Sequence, residues 1–92
     1  MSEVTVVIPT ALRAFTEGEQ RVVVEADTVG QALGLLEDRY SGVLPQIVSP
    51  DGKLRPFVNL FVGETSTRSL AGMATSTPHG SVLSIIPAVA GG

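Results

Sequence analysis

Apolar and polar residues alternate along Glu3-Val4-Thr5-Val6-Val7-Ile8, and the β-branched content makes this a strand that Pro9 should end. A second run, Gln20-Arg21-Val22-Val23-Val24-Glu25, follows a loop containing Thr16-Glu17-Gly18-Glu19, so the two form a plausible hairpin. The pattern then changes period. Val29, Ala32, Leu33, Leu36 and Tyr40 recur at i, i+3, i+4, i+7 and i+11, one face of a helix, behind a capping-box pattern at Thr28 and Gln31. Ser41-Gly42 supplies the stop. Gly34 inside this helix costs about 1 kcal/mol relative to Ala, and close approach to another element is the expected reason for keeping it. Residues 43–56, with Pro45, Pro50, Asp51-Gly52 and Pro56, read as a connecting loop with one short turn. Residues 57–62 (FVNLFV) form a third strand, residues 63–80 a short edge strand plus turns, and residues 82–86 (VLSII) the last strand.

One amphipathic helix among about five strands needs one sheet face to cover, which predicts an α+β fold. If the first and last strands lie side by side at the centre, they run parallel through a right-handed crossover. That is the β-grasp (ubiquitin-like) arrangement: a mixed sheet with one main helix packed on one face. A ferredoxin-like sheet would need a second helix, for which residues 65–77 have too little apolar periodicity. The expected organisation is a domain over residues 1–86 and a flexible tail over 87–92.

Composition narrows the function. Of 92 residues, 43% are apolar and 16% charged, enough to fill one core. A net charge of -3 and only Phe15, Tyr40, Phe57 and Phe61 as aromatics argue against nucleic-acid binding. With no cysteine, disulfides, thiolate metal sites and a cysteine nucleophile are excluded. No apolar run approaches the roughly 20 residues that cross a bilayer, and the expected location is cytoplasmic, away from membranes.

The body offers little chemistry. His79, the only histidine, sits in the turn Pro78-His79-Gly80 without an identifiable catalytic partner. Glu37 and Asp38 are adjacent on a helix, where consecutive side chains diverge, and read as solvated surface. No metal-ligand spacing, phosphate-cradling loop or Ser/Thr nucleophile with a base is recognisable, so the expectation is no enzyme, no metal and no bound cofactor. What stands out is Pro87-Ala88-Val89-Ala90-Gly91-Gly92 after the last strand. Six residues reach about 20 Å, and two glycines without Cβ atoms can lie in a narrow channel. Such a tail suits delivery of the Gly92 carboxylate into another protein's active site. A frayed terminus or a linker remnant is the alternative.

The strand-to-tail segment Ile85-Ile86-Pro87-Ala88-Val89-Ala90-Gly91-Gly92, the helix start Asp27-Thr28-Val29-Gly30 and the stretch Gly52-Lys53-Leu54-Arg55-Pro56-Phe57-Val58-Asn59-Leu60-Phe61-Val62 together resemble the ubiquitin-like sulfur carriers of the ThiS/MoaD family. Within that family, Ile8-Pro9-Thr10-Ala11-Leu12-Arg13, Tyr40-Ser41-Gly42 and Gly52-Lys53-Leu54 look most like the CysO-type carriers of cysteine biosynthesis. The resemblance implies a protein co-substrate. An E1-like enzyme would adenylate the Gly92 carboxylate with ATP, and a sulfur donor would convert it to a thiocarboxylate. The acceptor would be a pyridoxal-phosphate-dependent cysteine synthase or a thiosugar synthase, with a metalloprotease to trim the tail. ATP and pyridoxal phosphate belong to those partners. The small subunit of molybdopterin synthase is the alternative within the family, and a ubiquitin-like interaction module the alternative outside it. Two departures stand out: Val62-Gly63-Glu64-Thr65-Ser66-Thr67-Arg68 replaces the family's acidic-Val-Arg segment, and His79-Gly80-Ser81 its Asp-Gly-Asp turn.

Alternation also places a partner surface. If Val58, Leu60, Val62, Leu83 and Ile85 face the helix, then Phe57, Asn59, Phe61, Ser84 and Ile86 face away. Phe57, Phe61 and Ile86 would form an apolar patch for a partner on the open sheet face.

Overall fold

The computed structural model describes residues 2–87. Its strands are β1 (Glu3–Val7), β2 (Arg21–Glu25), β3 (Val58–Val62), β4 (Thr65–Ser66) and β5 (Ser81–Pro87), with one α-helix, α1 (Val29–Arg39), between β2 and β3. They make a single sheet in the order β2-β1-β5-β3-β4. β1 and β5 are parallel neighbours at its centre, and the β1–β2, β5–β3 and β3–β4 pairs are antiparallel. This is the β-grasp arrangement that the order of elements predicts.

The period-2 pattern explains which side of the sheet is covered. Val4 and Val6 of β1, Val22 and Val24 of β2, Val58 and Leu60 of β3, and Leu83 and Ile85 of β5 are all buried against α1, which contributes Val29, Ala32, Leu33 and Leu36. Val43 and Ile47 from the connecting segment close the core. A one-residue slip in any strand would turn its apolar set outward, so burial fixes the register.

The helix starts where the capping pattern places it. Thr28 Oγ1 accepts a hydrogen bond from the Gln31 backbone N–H at 3.2 Å. Gln31 Oε1 reaches back to the N–H of Asp27 at 2.8 Å, one residue earlier than in a standard capping box. At the other end Tyr40 caps the helix and Gly42 takes a φ of 103°, the left-handed conformation that suits glycine. Glu37 differs from the solvated-surface expectation. Its two carboxylate oxygens accept from the N–H groups of Gly42 (2.8 Å) and Leu44 (2.7 Å), tying the chain leaving the helix back onto it. Those bonds, Gly42's first and then Leu44's, hold the Glu37 carboxyl below its ordinary value.

Three further expectations change. The β1–β2 connection contains a 3-10 helix, Thr10–Thr16, which inserts Leu12 and the buried Thr16 and is braced by Arg13 Nε donating to the Ile8 carbonyl at 3.1 Å. Gly34 is not a point of close approach, because a Cβ there would meet no atom within 4 Å. The crowded glycine is Gly30, whose Cβ would lie 3.3 Å from the Met73 carbonyl oxygen. Finally, β5 runs one residue further than expected: Pro87 is its last residue and lies opposite Val58.

Candidate functional site

The open face of the sheet is built by the residues that alternate with the core. β3 contributes Asn59 and Phe61, β5 contributes Val82, Ser84 and Ile86, and the register sets Asn59 opposite Ile86 and Phe61 opposite Ser84. Phe61 and Ile86 are therefore diagonal neighbours, a separation that a large side chain spans. Phe57 lies in the turn immediately before β3 and is 56% exposed, and Ile86 is 47% exposed, whereas Phe61 is half-buried. Ile86 lies beside Pro87 at the end of β5 and Phe57 in the turn before Val58, whereas Phe61 lies opposite Ser84, three residues before that end. Ala88, Val89, Ala90, Gly91 and Gly92, the remaining tail residues, lie outside the described residues.

Arg68 shapes this corner. β4 is two residues long and pairs only with Phe61 and Val62, which leaves the outer edge of β3 uncovered at Val58. The Arg68 guanidinium fills that position: Nη2 donates to the carbonyls of Val58 (2.8 Å) and Arg55 (3.0 Å), and Nε donates to Asn59 Oδ1 (3.3 Å). A planar, multi-donor fork can satisfy diverging acceptors in this way where a single-point cation cannot. By holding the carbonyls on either side of Pro56 and Phe57, Arg68 fixes how Phe57 is presented. Sequence reading passed over Arg68, because its bonds reach ten and thirteen residues back and leave no periodic trace.

His79 lies in a turn, and its Nδ1 accepts from the Glu3 backbone N–H at 3.1 Å, stitching the turn before β5 to the start of β1. That is a structural role. Among the described residues no three His, Asp or Glu side chains come together as a metal-binding group. Among the same residues no helix is long and apolar enough to cross a membrane.

The comparisons with known proteins agree with this geometry. The ThiS family model matches residues 6–92. The chain is 43% identical over 91 residues to the sulfur carrier protein CysO of Mycobacterium tuberculosis, covering 97% of this chain and 98% of that protein. Among solved structures, a chain of the Amycolatopsis orientalis BexX/CysO complex superposes with a TM-score of 0.91 at 38% identity, covering 97% of this chain and 99% of that one. The crystal structure of Mycobacterium tuberculosis CysO superposes with a TM-score of 0.89 at 41% identity, covering 94% and 99% respectively. With the family model matching residues 6–92 and the sequence matched nearly end to end, the chain belongs to the ThiS family.

Proposed function

We propose that this protein is a sulfur carrier of the CysO type, a co-substrate that is acted upon and is not itself an enzyme. The observation that carries the reading is the match to CysO proteins over nearly the whole chain, within a family match that extends through Gly91-Gly92. The chemistry is assigned to the Gly92 carboxylate because the family match to the sulfur carriers takes in the Gly91-Gly92 segment.

A carboxylate is a poor electrophile, and activation is the first requirement. The Gly92 carboxylate oxygen attacks the α-phosphate of ATP on an E1-like enzyme, pyrophosphate leaves, and the acyl adenylate gains a good leaving group. A sulfide-level donor then displaces AMP and leaves a thiocarboxylate, whose anionic sulfur is the nucleophile handed on. Pro87 closes β5 opposite Val58, so the arm is assigned to Ala88, Val89, Ala90 and Gly91, whose small side chains suit a narrow enzyme channel. Phe57, Phe61 and Ile86 would seat the body on the activating enzyme. The accepting enzyme is assigned to cysteine synthesis, a pyridoxal-phosphate-dependent synthase, with a thiosugar synthase as the other sulfur acceptor and a metalloprotease to release the product from the tail. The Amycolatopsis relative, solved as a BexX/CysO complex, supports a role exercised through binding to a partner.

The test is intact-mass spectrometry after incubation with an E1-like enzyme, ATP and sulfide. The mass should rise by about 16 Da, one oxygen replaced by sulfur at the reactive end. No rise under conditions that load the Mycobacterium tuberculosis protein would sink the assignment and favour an interaction module.

A further inference from the structure

We propose that the free edge of β2 is a self-association surface, on which two copies of this chain pair β2 with β2, antiparallel and centred on Val23, to form a weak dimer with one continuous sheet. β2 has a neighbour, β1, on one side only. The Ile8 N–H donates to the Gln20 carbonyl and the Ala26 N–H to the Ser2 carbonyl, so the even-numbered residues of β2 direct their backbone groups toward β1. In an antiparallel ladder the alternate residues point the other way. The N–H and C=O groups of Arg21, Val23 and Glu25 therefore face outward along the edge. Between this edge and α1 runs an open groove of about 610 Å³ lined by Val23, Val24, Glu25, Leu35, Asp38 and Arg39, and among the described residues no other element lines it.

The charges along the edge say what fits there. A strand protected against self-pairing carries like charges or proline. This one reads Arg21-Val22-Val23-Val24-Glu25, with opposite charges placed symmetrically about Val23. Antiparallel pairing with a second copy sets Arg21 of each chain against Glu25 of the other and Val23 against Val23, and lets all three outward residues exchange backbone hydrogen bonds. Parallel pairing would oppose like charges. The chain's own sheet leaves these charges unmatched: Glu25 lies directly opposite Glu3 on β1, a repulsive cross-strand pair, and Arg21 lies opposite Val7. Val23, 46% exposed on its own, would be covered in the dimer. Five residues of edge make a small interface, so the association is transient and concentration-dependent. β2 is at the opposite side of the sheet from β3 and β4, so the Phe57–Ile86 corner remains open to a partner in the dimer.

Sedimentation equilibrium of the full chain, up to about 1 mM to suit a small interface, tests this. Wild-type protein should show a monomer–dimer equilibrium. Arg21→Glu and Glu25→Arg should each raise the dimer dissociation constant about 10-fold or more, because two attractive pairs become two repulsive ones. An equimolar mixture of the two single variants should recover association, since the two carboxylates on the edge of one chain then face the two guanidinium groups on the edge of the other. The double variant Arg21→Glu/Glu25→Arg should also recover it, and circular dichroism of that variant shows whether both substitutions leave the fold intact. A wild-type chain that stays monomeric throughout overturns the proposal. So does a dimer that neither single variant weakens, which would place the contact on another face.

Discussion

Leu60 and Phe61 are adjacent on β3, yet truncating them should have very different effects. Leu60 is 1% exposed and packs within the core beneath α1, while Phe61 faces the open side opposite Ser84. Leu60→Ala removes buried methyl groups and leaves a cavity that the flanking strands cannot fully close, at a cost of about 2–5 kcal/mol. A chain of this size has a total stability of roughly 5–14 kcal/mol at the usual allowance per residue. A loss of about 3 kcal/mol lowers the melting temperature by about 12 to 24 °C at the scaling for small domains. Phe61→Ala gives up only part of an aromatic contact already shared with solvent, and should cost about 1 kcal/mol or less. Thermal and urea melts followed by far-UV circular dichroism read both, since the chain has no tryptophan to serve as a fluorescence probe. Phe61→Asp then separates stability from binding: its melt should stay near that of Phe61→Ala, while affinity for an E1-like enzyme falls because the charge is desolvated in the complex. If Phe61→Ala destabilises as much as Leu60→Ala, the face assignment of β3 is wrong by one residue, and the patch must be redrawn.

Gly34→Ala should raise stability by about 1 kcal/mol in the same melts, because the new methyl group meets open space and helix propensity alone decides; Gly30→Ala should not, since its methyl group crowds the Met73 carbonyl. Glu37→Gln should destabilise at neutral pH by weakening the acceptors for Gly42 and Leu44. Because the folded pKa of Glu37 is lowered, its contribution is fully present above the ordinary value of 4.5 and is lost as pH falls through the lowered folded value. The melting-temperature gap between wild type and Glu37→Gln should therefore hold from neutral pH down to that region and shrink in acid, and a gap that widens there would contradict the hydrogen-bond assignment. Arg68→Ala should cost about 1–2 kcal/mol by leaving the Val58 and Arg55 carbonyls without their charged donor, with Arg68→Lys restoring only part of it in denaturant melts. Gly92→Ala should change stability by roughly 0.5 kcal/mol or less while strongly reducing the thiocarboxylate mass increment, and a large loss of stability would show that the tail is packed into the fold.

The parts of this fold that were legible in the sequence are those governed by short periods. Val4, Val6, Val22, Val24, Leu60, Leu83 and Ile85 announce their strands and their inward face by alternation alone, and Val29, Ala32, Leu33 and Leu36 announce the helix. The β-grasp topology then follows, because one helix with this many strands has few ways to bury both apolar surfaces. The open-face positions of Phe61 and Ile86 came with the same alternation, whereas Phe57, which alternation reads into the third strand, lies in the turn before it, and the assignment of Gly92 rests on resemblance and not on any periodicity.

What sequence reading missed depends on contacts between distant residues. The 3-10 helix Thr10–Thr16 has no side-chain cap and little amphipathic pattern; it forms because Leu12 enters the core and Arg13 finds the Ile8 carbonyl. Glu37 looks like any solvated helix acid until the chain beyond Gly42 turns back to meet it. Gly34 was the expected point of close approach, and only the folded position of Met73 shows that the crowded helical glycine is Gly30. Arg68 is the clearest case: β4 is too short to cover β3 at Val58, and one guanidinium takes over the hydrogen bonding that a longer strand would have supplied. The consequence reaches the turn before β3, since the same side chain holds the carbonyls that bracket Phe57 and donates to Asn59, opposite Ile86. A surface arginine in a Ser/Thr-rich loop thereby links the edge of the sheet to the turn that carries Phe57, a connection that exists only once residues ten positions apart have been brought together.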